Sequence, residues 1–264
     1  MMKKRTLIFI SFLILLTAGC AAVPKDPAAL AAYQEANDPL EPMNRKIFAF
    51  NMAADKYALR PVVKGYRKIT TPGFRLKVRT FLSNLKTPLT VVNDLLQLNF
   101  KNAGRDLSRF VINSTIGFLG VYDVADRMGI APNYQGFGTT MAVWGIPSGP
   151  YLVLPFLGPS NVRDFTGTAA NVVFDPFTYV SYQNDNDDVT RAFLIADVVE
   201  AVTAYENSLE LLDEGRKSSL DFYAYMRSMY QQYRKKTIEN AKGIKTDEDG
   251  KAAYEFSLED EFDE

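Results

Sequence analysis

Seven of the fifteen residues from 145 to 159 are glycine or proline. Gly145, Pro147, Gly149, Pro150, Pro155, Gly158 and Pro159 loosen the backbone or remove its donors at a density no helix tolerates. The residues between them are apolar: Tyr151-Leu152-Val153-Leu154 and Phe156-Leu157. Two short extended pieces in a hairpin-like loop satisfy both constraints. A loop in contact with water is ordinarily more polar, so this one is expected to be buried or to face lipid. On either side apolar residues return at helical spacing. The fold class expected is therefore mainly α, a single domain of amphipathic helices with one short apolar hairpin.

Helices are expected over 43–59, ended by Pro61, and, after a loop holding Gly65, Pro72 and Gly73, over 73–86, 88–98, 101–115, 121–128 and 135–144. Beyond the hairpin they are expected over 160–173, 188–204, 206–214 and 218–241. At 100° per residue, Phe74, Val78, Phe81 and Leu85 fall within about 60° of one another, and Arg75, Arg79 and Lys86 lie on the adjoining flank. Basic residues at the rim of an apolar face suit a helix lying in a membrane interface. A core helix with solvated cations is at least as common a source of that pattern. The last helix carries Phe222, Met226, Met229 and Tyr233 at spacings of four, three and four, which suits core packing or a partner groove.

The reactive residues narrow the function. The 264 residues include no histidine and one cysteine. The commonest general base and the commonest zinc ligand are thus missing. Ser-His-Asp and Cys-His hydrolysis, His-ligated zinc and His-ligated haem are excluded. One cysteine closes no internal disulfide and builds no thiolate cluster. No catalytic constellation, metal site or cofactor is expected. Carboxylates such as Asp94 and Asp164 suffice in principle for a lipid hydrolase, but helix-surface and capping roles are far commoner for each.

The cysteine sits at an informative place. Lys3-Lys4-Arg5 is followed by an apolar stretch of about ten residues, half of what a spanning helix needs, and then by Thr17-Ala18-Gly19-Cys20. This is a secretory pattern and resembles a bacterial lipoprotein signal. Residues 1–19 would be removed, and Cys20 would carry the lipid as the first mature residue. Ala21, rather than Asp, directs the expectation to the outer membrane. Residues 20–42, with Pro24, Pro27, Pro39 and Pro42, read as a lipidated tether. Residues 43–244 read as the helical domain. From Lys245 on, nine acidic residues against two lysines give an acidic, disordered tail over 245–264.

Net charge over the whole chain is −1, which gives no sign of a nucleic-acid partner. It conceals a segregation: residues 45–109 carry net +11 and residues 110–264 carry net −12. A basic block behind a lipid anchor suits contact with phospholipid or lipopolysaccharide phosphates. Mutual neutralisation within the fold is equally consistent.

Several segments, in order, resemble the VacJ/MlaA family of outer-membrane lipoproteins. They are Asn37-Asp38-Pro39-Leu40-Glu41-Pro42-Met43-Asn44-Arg45, Asn93-Asp94-Leu95-Leu96-Gln97, Arg109-Phe110-Val111-Ile112-Asn113-Ser114-Thr115-Ile116-Gly117, Phe137-Gly138-Thr139-Thr140-Met141, Trp144-Gly145, Gly149-Pro150-Tyr151-Leu152-Val153-Leu154-Pro155, Gly158-Pro159-Ser160, Arg163-Asp164 and Asp175-Pro176. Thr139-Thr140-Met141 departs from the family's usual Gln-Thr-Leu. The resemblance implies a ring-like or horseshoe helical lipoprotein, anchored in the periplasmic leaflet of the outer membrane and often beside a trimeric porin. It implies an amphipathic channel that removes mislocalised phospholipids from the outer leaflet and passes them to a soluble periplasmic lipid carrier. Lipid asymmetry is thereby maintained, and in some pathogens the family is linked to virulence. The rival expectation is a structural or assembly lipoprotein that binds porins without moving lipid. Within the channel reading, the 145–159 loop is either a gate or a rigid turn closing the fold. As a gate it would hinge at Gly145, Gly149 and Gly158, with Tyr151, Leu152 and Leu154 facing acyl chains.

Overall fold

A computed structural model of the chain describes residues 23–174 and 187–243. In chain order these form α1 (Pro27–Ala36), α2 (Glu41–Ala54), a π-helical turn (Asp55–Leu59), α3 (Arg60–Ile69), α4 (Pro72–Leu96), α5 (Phe100–Thr115), α6 (Val124–Arg127), α7 (Phe137–Val143), β1 (Tyr151–Leu154), β2 (Gly158–Asn161), α8 (Val162–Phe174), α9 (Asp187–Ser218) and α10 (Phe222–Ala241). The fold is mainly α, and its one two-stranded sheet lies at the glycine- and proline-rich segment. The expectations for residues 1–22, Cys20 included, for Asp175-Pro176 and for the 245–264 tail lie outside the described residues.

The strands pair antiparallel, Tyr151 opposite Asn161 and Leu154 opposite Gly158. The sheet runs two residues past Pro159 because that proline costs it nothing. Val153, its partner, directs its N–H away from β2, into the side chain of Asn44. Pro159 therefore stands at a position where no ladder bond would use its missing donor.

Several helix boundaries differ from expectation. Pro61 opens α3 instead of closing a helix, and Gly65 lies inside α3. The π turn makes this possible: the Arg60 N–H reaches the carbonyl of Asp55, five residues back, so the ladder has already widened where the proline enters. The expected helices at 73–86 and 88–98 are one 25-residue helix with Pro88 inside it. Those at 188–204 and 206–214 merge into α9, since no breaker separates them. Part of the expected tether is also folded. Asp38 is buried, accepting hydrogen bonds from Asn44 (2.8 Å), Arg227 (2.9 Å) and the Tyr223 hydroxyl.

The segregated charges meet within the fold. Arg60 pairs with Asp213 at 2.6 Å, Arg67 and Arg75 share Glu206 at 2.8 and 3.1 Å, and Arg45 pairs with Asp221 at 2.6 Å. The basic faces of α3 and α4 are thus closed by the acidic face of α9. Hydrogen bonds from Arg60 and Arg45 hold Asp213 and Asp221 below the ordinary carboxylate range. A small aromatic core lies beside the hairpin. Tyr151, Val153 and Tyr223 are buried there, with Ile47, Phe48 and Tyr230 packed against them.

Candidate functional site

The distribution of side chains between inside and outside is inverted relative to a protein solvated by water. Among the described residues, nineteen polar or charged side chains are buried against ten hydrophobic ones, and four of those ten are alanines. Helix α4 places Thr80, Ser83, Asn84, Thr87 and Thr90 at spacings of three, one, three and three, a polar stripe on one face. Opposite it, α5 presents Asp106, Arg109 and Asn113, and the following loop adds Asp123, Asn133 and Tyr134. Arg109 bonds Asp123 at 2.8 Å, Asn113 donates to the same carboxylate at 2.9 Å, and Asn84 donates to Ser114 at 2.9 Å. The cavity left between these groups is about 20 Å³. That holds a water molecule and no acyl chain.

At one end of this seam two carboxylates meet. Asn133 donates to Asp106 at 2.8 Å and lies 3.4 Å from Asp94. Burial, reinforced by a hydrogen bond with Asp106 and by its charge, pushes Asp94 up to about 7. Asp164 goes the other way. Its burial is outweighed by a bidentate Arg234, with both N–O distances 2.7 Å, and by Tyr230, so its carboxyl lies below the usual range. Asp94 is a member of a buried polar network and Asp164 anchors an ion pair. No group of three or more His, Cys, Asp or Glu side chains suited to a metal occurs among the described residues.

The apolar residues missing from the interior are outside. Val92, Leu95 and Leu96 on α4, Leu98 and Phe100 at the α4–α5 corner, Leu107 and Val111 on α5, and Ile116, Phe118 and Leu119 after it are all exposed. Trp144 joins them, its indole N–H donating to the Leu96 carbonyl at 3.0 Å. Leu98, Phe118 and Leu119 adopt left-handed backbone angles of 58°, 53° and 61°, strained for side chains of this size. Large apolar surface in water marks a partner or a membrane. No helix among the described residues is long and apolar enough to cross one.

The hairpin is clamped on its outer edge. Asn44, fully buried on α2, donates to the Tyr151 carbonyl at 3.1 Å and accepts from the Val153 N–H at 2.9 Å. Two helical turns on, Asn51 donates to the Leu154 carbonyl and accepts from the Phe156 N–H, both at 2.9 Å. These asparagines act as a surrogate strand, satisfying backbone groups that would otherwise be buried unpaired. Tyr151 is 2% exposed, buried among Tyr223 and Tyr230 instead of facing outward. Leu152 and Leu154 are half-buried, and the turn residues Phe156 and Leu157 carry the exposed apolar surface. Gly145, Gly149 and Gly158 all have positive φ. Gly145 ends α7, with its own N–H and that of Ile146 bonded back to Ala142 and Met141, a glycine C-cap that L side chains fit poorly. At Gly149 a Cβ would lie 3.1 Å from Val162.

Of the basic trio, Arg75 is largely buried while Lys86 is exposed. Arg75 binds Glu206, Lys86 binds Glu200 at 2.6 Å, and Arg79 binds Asn207. Arg75 and Lys86 thus have acidic partners on α9, as mutual neutralisation of the charge blocks requires, and Arg79 has an amide partner there. On α10 Phe222 packs against Phe48, and the neighbouring stripe of Tyr223, Arg227, Tyr230 and Arg234 holds Asp38 and Asp164. Sequence reasoning missed Asn44, Asn51 and these arginines. The available signal was the seven-residue spacing of two asparagines within an apolar helical pattern.

The model of one protein family, MlaA lipoprotein, matches residues 36–237. The chain belongs to the MlaA lipoprotein family. Among its relatives, an uncharacterized protein of Rickettsia bellii is 38% identical over 213 residues, covering 80% of this chain and 81% of that one. The intermembrane phospholipid transport system lipoprotein MlaA of Escherichia coli K12 is 31% identical over 173 residues, covering 63% of this chain and 66% of its own. A solved structure described as the structural basis for maintenance of bacterial outer membrane lipid asymmetry superposes with a TM-score of 0.62 at 28% identity, covering 76% of this chain and 98% of that one. Family membership accounts for the ordered motifs from Asn37 to Asp164.

Proposed function

We propose that the mature protein is an outer-membrane lipoprotein that withdraws mislocalised phospholipids from the outer leaflet and hands them to a soluble periplasmic carrier. In this reading Cys20 bears the acyl anchor, a trimeric porin is the neighbour in the membrane, and no bond is broken in the passage. The observation that carries the reading is the inversion. A polar seam threads the helices while their outer faces and the hairpin tip are apolar, which suits a body solvated by acyl chains around a path for headgroups. The transport system named for the Escherichia coli relative supports it. The 20 Å³ seam is too narrow for a lipid, so passage requires the helices α4 and α5 to part. The Asn44 and Asn51 clamps favour the hairpin as a fixed wall over a swinging gate. Mass spectrometry of lipids that co-purify with the protein tests the reading. Bound phospholipid is expected; its absence, with normal outer-leaflet lipid in a deletion strain, would favour a porin-binding structural role.

A further inference from the structure

A second cavity lies on the other side of the hairpin, apart from the polar seam. It occupies about 460 Å³ between the hairpin, the start of α8 and the C-terminal half of α10, within the roughly 300–1,000 Å³ of small-molecule sites. One face of α10 lines it, with Arg234, Lys235, Ile238, Glu239 and Lys242 at spacings that keep them on one side of the helix. Arg163 lines the opposite wall.

The charges in the cleft are unequal in status. Arg234 and Arg163 are committed to Asp164, at 2.7 and 3.3 Å. Lys235 and Lys242 are exposed and form no ion pair among the described residues. Glu239, one turn from each, pairs with neither. Tyr151 lines the same cleft, and its hydroxyl is buried without a hydrogen-bond partner, a condition that ordinarily calls for an unseen partner. Two uncommitted ammonium groups, Arg234 beside them and Arg163 across from them make a cation-rich cleft. Ile238 supplies an apolar side.

We infer that this cleft binds a phosphate-bearing anion, the headgroup of a phospholipid, with Lys235 and Lys242 as its contacts. The inference rests on the proposed phospholipid traffic for the lipid source; the anion chemistry stands without it. The cleft is a holding place for the headgroup beside the hairpin wall.

The test uses the mature lipoprotein purified in an uncharged maltoside detergent, with binding measured by calorimetry. The probes are inorganic phosphate, dihexanoylphosphatidylglycerol below its micelle concentration and, as the uncharged control, dihexanoylglycerol. Binding of the short-chain phospholipid but not of the control is expected. Removing both lysines, as Lys235→Ala with Lys242→Ala, should weaken it about tenfold or more, since charge-assisted contacts are the strong ones. Glu239→Gln should tighten it, because one repelling charge leaves. Lys235 is exposed on α10 and Lys242 is exposed just past its end, so these variants fold. If inorganic phosphate alone binds with the same dependence on the lysines, the site stands and its source is free phosphate. Binding unchanged in the double variant, or none by either phosphate compound, would overturn the site. Outer-leaflet phospholipid, measured with wild-type protein in a deletion strain, separates the two claims. Restored asymmetry without binding removes only the cleft, and binding without restored asymmetry removes only the transport reading.

Discussion

Asn44 is the side chain on which the hairpin most depends. It is fully buried and serves three partners at once: Asp38 at 2.8 Å, the Tyr151 carbonyl at 3.1 Å and the Val153 N–H at 2.9 Å. Asn44→Leu keeps the volume and removes every polar atom. The Tyr151 carbonyl and the Val153 N–H, both on residues 2% exposed, are then left without water or a substitute. Each such loss costs about 1–3 kcal/mol. Asp38 loses less, since Arg227 and Tyr223 still bind it. The expected loss is about 3–6 kcal/mol, a large share of the ~5–15 kcal/mol of a typical domain. Asn51→Leu strands two groups at a less buried position, so about 1–3 kcal/mol is expected there. Denaturant unfolding gives the stabilities, and hydrogen exchange at the Val153 amide reports the clamp directly. If Asn44→Leu cost no more than Asn51→Leu and the Val153 amide stayed protected, α2 would not be what holds the hairpin.

Other expectations concern the buried carboxylate, the charge closure and the anchor. Asp94 titrates at about 7 in the fold against 3.8 when free, so the folded state binds more protons between those values and wild-type stability falls as pH rises through that window. Asp94→Asn lacks this penalty: it should match wild type near pH 4 and exceed it at pH 8 by on the order of 1 kcal/mol or more, read from urea midpoints; a difference independent of pH would refute the assignment. Arg75 and Glu206 are both largely buried in their pair; Arg75→Ala should destabilise by about 1–3 kcal/mol, and the double variant with Glu206→Ala should cost less than the sum of the singles in a double-mutant cycle. Additive singles would mean that the basic face of α4 is not closed by α9. Cys20→Ser should release the protein from the outer-membrane fraction, and full retention by fractionation would contradict the anchor.

The sequence was most legible where one residue type leaves little choice. Glycine and proline from 145 to 159 forced the hairpin, and long uninterrupted periodicity gave α5, α8 and α10. Legibility failed where tertiary partners override local signals. Pro61 reads as a stop, yet a π turn absorbs it, and the two helices expected over 73–86 and 88–98 are one, with Pro88 inside α4. The +11 and −12 blocks left membrane contact and mutual neutralisation equally open, because charge along a chain does not say which helices touch. The pairs of Arg75 with Glu206 and Lys86 with Glu200 are separated by more than a hundred residues and show that the two blocks neutralise each other in part. The gate alternative, drawn from breaker density and apolarity, puts Tyr151 against acyl chains; alternation along β1 places it inward, and Leu152 on the other face. The inversion itself was out of reach. Threonine, serine and asparagine on one face of a helix ordinarily mark the side turned to water, and only the packing of α5 against α4 shows that stripe to be interior.

The central claim is that this chain removes phospholipid from the outer leaflet of the outer membrane. Surface-accessible phospholipid in a deletion strain, quantified by outer-leaflet labelling with and without the chain supplied back, tests it most directly. Accumulation in the deletion strain, return to wild-type levels with the intact lipoprotein and no return with Cys20→Ser are expected. Outer-leaflet phospholipid that is normal in the deletion strain, or unaffected by restoring the chain, would contradict it.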